Sequence, residues 1–379
     1  MTVSARSSEI AGSALAPRIH HYPYIDVLRA IAALLVVVYH VIELGNWASF
    51  PISGPALIFR IGWVGVDLFF VISGFVITVS AVSAWNRDGP AFRRRYFWRR
   101  WLRIAPLYFA TLLLFLLLIR PEVLLGDVNA ALIHTLSHLT FLHNLHPATH
   151  GSINGPNWSV ALEMQFYLLM ALITPWLATR SPLRVLLLFV GIAIGYRFLT
   201  TLLLEPGVSS THAQHVYSSW LPGTLDAFGM GIALALLVLG RERFNPFGLL
   251  SASWRSLTFW IVFTTAAFWL SMDIYWAHTY WDQTTMVVLW RTSLALGMVG
   301  LVACAVVVPV ERLGPFLPLA YLGTVSYGIY LWHTLVLIPL LDFPWLKGPS
   351  LLLWTVLGTL VLSIMSWHFF ERPFIRKTK

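Results

Sequence analysis

The sequence predicts an all-α fold, a polytopic integral membrane helix bundle of about ten transmembrane helices, and its composition supports this in three ways. The chain of 379 residues is 58% hydrophobic, only 11% of its residues are charged, and its mean hydropathy is +0.74. A soluble domain would carry about 25% charged residues. We therefore divide the chain into a disordered leader (1–20), one transmembrane domain (21–373) and a basic tail (374–379).

Ten apolar segments are long enough, or nearly so, to cross a hydrocarbon core of about 30 Å. Another segment, 130–142, is apolar enough for a re-entrant or interfacial helix. The predicted spans are 25–45, 60–83, 104–119, 158–178, 184–204, 219–240, 254–272, 284–308, 321–341 and 350–369.

The distribution of positive charge predicts the orientation of these spans. Ten spans place both termini on one side, and the other side holds only Arg60, Arg120 and Lys347, with Arg197 and Arg291 inside spans. The positive-inside rule then predicts a multi-pass protein of the cell (inner) membrane with both termini in the cytoplasm. Because the net charge of +9 is dispersed over loops, we expect contact with membrane lipid and no nucleic-acid partner.

The first predicted helix carries two polar residues that lipid disfavours. Arg29 and His40 are 11 residues apart, so they lie on one helix face, about 16 Å apart along the axis. Asp26 can pair with Arg29 near the membrane surface. His40 would lie near mid-depth, where an ionisable side chain usually marks a functional pathway. It would act there as a general base or as a nucleophile that carries a group during transfer, and a histidine that only packs between helices is the alternative.

An arginine-rich run precedes the third span. Arg99, Arg100 and Arg103 have i,i+3 and i,i+4 spacings that gather them into one cationic patch. Guanidinium groups bind phosphate bidentately, so the patch is a candidate phosphate site. The alternative, which suits the preceding Arg93, Arg94 and Arg95 better, is a topogenic loop attracted to anionic lipid.

Two further helices carry polar residues in their outer halves. Asp67 and Ser73 lie in the second span, where they either bond a neighbouring helix or contact a substrate or His40. Ser159 and Glu163 share one face of the fourth span at i,i+4 spacing. Glu163 is costly there unless it is paired, for example with Arg197 or Arg291, or lies near water. We expect it to position a substrate or to orient His40.

The ninth span carries Ser326, Tyr330 and His333 on one face, at i, i+4 and i+7. His333 lies near mid-depth, like His40, and a structural histidine is the alternative. Asp226 in the sixth span is equally compatible with a structural and a functional role. The pair Glu371 and Arg372 at the end of the last span is typical of a helix anchor.

These motifs together resemble the acyltransferase 3 family, which comprises membrane-bound O-acyltransferases of polysaccharides, lipids and small molecules. The first helix has the pattern of Arg, ten residues and His, and Gly65 to Phe75 resembles the second family signature. Thr224 departs from the family pattern, in which many members have Arg. The other matching segments are 99–106, 157–167, 221–231, 321–333 and 369–373.

The resemblance implies an O-acyltransferase, most often an O-acetyltransferase. It would take its acyl group from cytosolic acetyl-CoA, a co-substrate, with no permanently bound cofactor. The acceptor would be a glycan or lipid-linked sugar, with an exopolysaccharide favoured and peptidoglycan possible. The implied roles are catalysis for His40, Arg29, Glu163 and His333, CoA binding for Arg99, Arg100 and Arg103, and substrate binding for Asp67, Ser159, Ser326 and Tyr330.

Two other classes of protein remain compatible with the pattern. One is a transporter whose path for an anion or other solute is lined by Arg29, His40, Glu163 and His333, and the other is a non-catalytic component of polysaccharide export. No zinc-like spacing occurs, and the outer-loop histidines His134, His138, His143 and His146 are too loosely spaced to predict a metal site. No sequence feature indicates an oligomeric state.

Overall fold

A computed structural model describes residues 22–204, 210–240, 248–277 and 283–376, and these residues form helices and connecting loops without a β-strand. The predicted leader and the last three residues of the predicted tail lie outside the described residues. The fold class predicted from composition, an all-helical membrane bundle, is therefore confirmed.

The main helices follow the predicted spans closely. They are α1 (Pro23–Leu44), α2 (Gly65–Asp88), α3 (Phe92–Leu114), α4 (Val128–Leu139), α5 (Asn157–Leu177), α6 (Pro182–Leu204), α7 (Thr211–Ser218), α8 (Leu221–Leu239), α9 (Trp254–Ala277), α10 (Arg291–Val307), α11 (Leu317–Thr324), α12 (Ser326–Leu340) and α13 (Pro349–Ser366). Three short α-helical segments are Leu57–Arg60, Glu122–Leu125 and Arg372–Arg376. The 3-10 turns are Gly62–Val64, Gly89–Ala91, His143–Leu145, Val310–Arg312 and Gly314–Phe316. The π-helical turns are Phe115–Ile119, Met286–Trp290 and Trp367–Glu371.

Within the described residues, eight helices are long and apolar enough to cross a membrane, or nine if the bent pair α11 and α12 is one span. One of the eight is a continuous helical stretch of 58 residues, Gly62–Ile119. It must fold back on itself, because Arg100 Nη2 donates to Ser80 Oγ over 2.8 Å, whereas 20 residues of straight helix span about 30 Å. The reversal lies near Gly89, whose φ is +56°. Two spans in this stretch bring the architecture to about the ten predicted.

Small residues allow α2 to pack closely between α1 and α8. A Cβ atom at Gly65 would collide with the carbonyl of Ala32, and one at Gly74 with the carbonyl of Phe228. Close backbone approach through small residues is typical of helix packing in membranes. The close packing at Gly65 and Gly74 fixes the wall on which Asp67 and Ser73 lie.

The ninth predicted span is not one straight helix. α11 and α12 meet at Val325 and are bent by 62° relative to each other. α12 nevertheless presents Ser326, Tyr330 and His333 in the predicted order toward the centre of the bundle. The predicted segment 130–142 corresponds to α4, whose 12 residues are too few to span a membrane.

Candidate active site

Two cavities that share lining residues lie among the described helices. The cavity nearer the N-terminal end of α1, here called the arginine cavity, has a volume of about 270 Å³. The other, here called the histidine cavity, has a volume of about 700 Å³. Polar residues of the arginine cavity include Asp26, Arg29, Ser73, Arg100, Arg103, Ser159, Glu163, Tyr167, Ser326, Tyr327 and Tyr330. Those of the histidine cavity include Tyr39, His40, Asp67, His150, Trp158, Thr211, His212, His215, Arg291 and Tyr330.

The cavities are stacked along the helix axes and meet at Val66 and Tyr330, which line both. On α1, Arg29 lines the arginine cavity and His40 lines the histidine cavity. On the antiparallel α2 the order is reversed, so that Asp67 lines the histidine cavity and Ser73 the arginine cavity. The arrangement predicted for α1, with Arg29 and His40 on one face, is therefore present in the structure.

His40 and His333 form a hydrogen-bonded pair at the histidine cavity. Nδ1 of His333 lies 2.7 Å from the carbonyl of Tyr330, which can only accept, so this nitrogen carries the proton of the neutral ring. Nε2 of His333 is then an acceptor, and it lies 3.2 Å from Nδ1 of His40. The carbonyl of Val36, 2.9 Å away, is a second acceptor for the same nitrogen.

This network determines the tautomer of neutral His40. Because both neighbours of Nδ1 accept, Nδ1 carries the proton and Nε2 keeps its lone pair. Nε2 makes no hydrogen bond to any residue within the described ranges. An imidazole in this state can take a proton or attack an electrophile from the cavity.

Tyr330 is held at the boundary between the cavities by the start of α5. Its hydroxyl lies 2.6 Å from the hydroxyl of Ser159 and donates to the carbonyl of Pro156 over 2.8 Å. Tyr330 and Ser159, both predicted as substrate-binding residues, are thus in contact across 171 positions of sequence. Their contact holds the Tyr330 side chain at the boundary that both cavities share with Val66.

The arginine cavity concentrates charge in an apolar setting. Arg29 donates from Nε to Ser326 Oγ over 3.3 Å. The guanidinium of Arg100 lies over the rings of Tyr96 and Tyr167, 5.8 Å from each centroid. Arg103 lines the same cavity. Guanidinium groups that converge on one concave site are suited to an anionic ligand.

Arg99 differs from the other two members of the predicted cationic patch. Its side chain is exposed and does not line the arginine cavity. On a helix, Arg99 and Arg100 point about 100° apart, on opposite flanks of Arg103. The cavity lies on the flank of Arg100, so the structure brings Arg100 and Arg103 to the site and leaves Arg99 at the surface.

Glu163 lies in the arginine cavity and makes no direct hydrogen bond to His40. Its carboxylate accepts from Ser73 Oγ over 2.9 Å and from the Tyr167 hydroxyl over 2.5 Å. The pairing with Arg197 or Arg291 considered from sequence does not occur, because Arg197 pairs with Asp226 and Arg291 lies beside Asp67. Asp67, at the histidine cavity, lies 3.9 Å from Arg291 Nε.

Arg197 and Asp226 form a buried structural pair between α6 and α8. Their side chains are 0% and 2% exposed, and Arg197 Nη2 lies 2.8 Å from Asp226 Oδ2. Arg197 also donates to the carbonyls of Gly223 and Val288 and to Thr292 Oγ1. These contacts resolve the open assignment of Asp226 in favour of a structural role.

The structure also gathers three histidines that the sequence analysis did not single out. His150 stacks on Trp158 with centroids 5.5 Å apart, and the His215 ring lies edge-on to both. His212 meets His150 at 6.2 Å. Burial, and next the charge of His212, lower the pKa of His150 to about 4, and burial followed by Arg291 lowers that of His215 well below its usual range. The cluster joins a loop to α7, more than 60 residues later, and no short-range spacing indicates it.

Comparison with known proteins identifies the family. The family model described as an acyltransferase domain matches residues 22–368. The chain is 26% identical over 379 residues to peptidoglycan O-acetyltransferase OatA of Listeria monocytogenes, covering 94% of this chain and 56% of that protein. It is 29% identical to putative peptidoglycan O-acetyltransferase YrhL of Bacillus subtilis, covering 93% and 55%. It is 26% identical to O-acetyltransferase OatA of Staphylococcus aureus, covering 94% and 58%.

The chain therefore spans little more than half the length of these curated relatives. No solved structure matches it.

Proposed function

The chain belongs to the acyltransferase family whose model matches residues 22–368, and we propose that it is an O-acetyltransferase that moves acetyl from acetyl-CoA to a hydroxyl of a glycan. The observation that carries this proposal is the position of His40. It has a lone pair on Nε2 and lines the histidine cavity, which shares the lining residues Val66 and Tyr330 with the arginine cavity.

The arginine cavity is the proposed entrance for the donor. Arg100 and Arg103 bind CoA phosphate, and the slender pantetheine arm occupies the space of about 270 Å³ between the helices. The positive-inside rule supports a cytoplasmic location for this side, because the arginine-rich start of α3 lies there. The thioester reaches His40 between Val66 and Tyr330.

The reaction is a direct acyl transfer. Nε2 of His40 takes the proton of the acceptor hydroxyl while its oxygen forms a bond to the thioester carbonyl carbon. Collapse of the tetrahedral intermediate breaks the C–S bond, and the imidazolium returns the proton to the leaving CoA thiolate. Because the donor and acceptor reach His40 through different cavities, this route needs no acyl-enzyme intermediate.

We propose a peptidoglycan saccharide as the acceptor. Two relatives are named as enzymes, one of them putative, that act on peptidoglycan, and this favours peptidoglycan over the exopolysaccharide expected from sequence. The size of the histidine cavity, about 700 Å³, lies within the range of about 300–1,000 Å³ typical of small-molecule sites. That volume is compatible with a sugar unit presented from the far side of the membrane.

The test uses membranes that contain the wild type or His40→Ala, supplied with acetyl-CoA labelled in the acetyl group. We expect label in a base-labile ester on glycan, reduced by about 10²–10⁴-fold in the variant, the usual range for a general base. Equal labelling by both proteins would contradict the role of His40. Binding of CoA without labelling by the wild type would contradict the transferase, and failure to bind CoA would favour a transporter.

A further inference from the structure

We propose that His150, His212 and His215, with Trp158, form the sugar-binding subsite for the acceptor, and that this subsite takes an uncharged saccharide. The proposal rests on the proposed O-acetyltransferase function and adds the residues and the chemical class of ligand. The four side chains line the same cavity as His40. A sugar held by them therefore has its hydroxyl groups near the proposed base.

The first argument is the supply of hydrogen-bonding groups. Nε2 of His150 is buried without a hydrogen-bond partner among the described residues. His212 Nε2 lies 3.3 Å from the carbonyl of Pro147, so it carries the proton, and Nδ1 of that neutral ring is an acceptor. Donors and acceptors distributed around an aromatic wall suit the hydroxyl groups of a sugar.

The second argument concerns charge. The lowered pKa values of His150 and His215 keep both rings neutral near pH 7. Arg291 lies beside Asp67, and its Nη1 donates to Ser219 Oγ over 3.1 Å. Each neutral imidazole offers one donor and one acceptor, whereas protonated rings would repel Arg291. The cavity wall therefore fits an uncharged sugar better than an anionic one.

The experiment measures the KM for soluble oligosaccharides of N-acetylglucosamine and the KM for acetyl-CoA. His150→Phe keeps the ring that stacks on Trp158 and removes its hydrogen bonds, and we expect it to raise the acceptor KM about 5- to 100-fold. The KM for acetyl-CoA should stay within about twofold of wild type. His212→Ala alters an exposed side chain and should act in the same direction if His150→Phe does not fold.

His146→Phe is the matched control, because His146 lies on the same loop, is exposed and does not line the cavity. An unchanged acceptor KM in His150→Phe and His212→Ala, or an equal increase in His146→Phe, would overturn the subsite. Stronger competition by an oligosaccharide of uronic acids than by one of N-acetylglucosamine would overturn the uncharged class. Failure of the wild type to transfer acetyl at all would instead overturn the proposed function.

Discussion

At His40, two acceptors determine which ring nitrogen faces the cavity. The carbonyl of Val36 and Nε2 of His333 both require the proton on Nδ1. His333 is itself fixed by the carbonyl of Tyr330. His333 is therefore a positioning residue, which acts on the reaction through His40 and also stabilises the imidazolium by accepting its Nδ1–H.

Substitution of His333 tests this role. His333→Leu removes the acceptor but leaves the carbonyl of Val36, so we expect kcat to fall by about 10–100-fold, the usual effect of losing a residue that orients a histidine. His333→Gln has a side-chain carbonyl that can accept from His40, and it should recover much of this loss at unchanged KM for acetyl-CoA. Equal kcat values in the two variants would contradict the positioning role.

Some of these residue positions follow from sequence and others do not. The shared face of Arg29 and His40, and that of Ser326, Tyr330 and His333, follow from helical periodicity. The contact between His40 and His333 spans 293 positions, and the periodicity of each helix contains no information on which helices become neighbours. The sequence therefore identified both histidines but not their hydrogen bond.

At the scale of elements, the arginines of α3 differ in the direction in which their side chains point. Arg100→Ala should raise the KM for acetyl-CoA by about 10–100-fold, because a hydrogen bond to a charged group contributes about 1.5–3 kcal/mol. The wild-type preference for acetyl-CoA over phosphate-free acetyl-pantetheine should shrink in this variant. Arg99→Ala is the matched control and should leave both values within about twofold. An equal effect of the two substitutions would indicate general surface electrostatics.

We expect the Arg197–Asp226 pair between α6 and α8 to contribute to the free energy of unfolding and not to the transfer reaction. Asp226→Ala leaves Arg197 buried without its carboxylate, and breaking a buried pair costs about 3–5 kcal/mol of unfolding free energy. The double variant Arg197→Met, Asp226→Leu should recover most of this loss, because it removes both charges. Thermal unfolding of the purified protein in detergent measures both effects. A double variant less stable than Asp226→Ala would contradict this account.

Hydropathy predicted the boundaries of some helices more accurately than those of others. Most spans agree within a few residues, because about 20 apolar residues in succession have few alternatives in a membrane. α3 begins at Phe92, 12 residues before the predicted start at 104. Its first turns are arginine-rich, and hydropathy detects burial in lipid, not helical structure. The bend at Val325 was missed for a similar reason, since both halves are apolar.

At the scale of the whole molecule, four helices line the two cavities and bring them together at Val66 and Tyr330. α1, α2, α5 and α12 each contribute residues to the arginine cavity at one depth and to the histidine cavity or its boundary at another. The fold class and the residues on these helices could be predicted from sequence. The cavities could not, because they depend on the contacts between helices distant in the chain.

In the proposed mechanism, acetyl-CoA and the acceptor approach His40 from opposite sides of the membrane. Sealed inverted vesicles, with the arginine-rich loops outward and peptidoglycan oligosaccharides enclosed, test it most directly. Labelled acetyl-CoA added outside should give an acetyl ester on the enclosed sugar, and vesicles with His40→Ala should give about 10²–10⁴-fold less. Ester formation only when acetyl-CoA and the sugar are on the same side would contradict the claim.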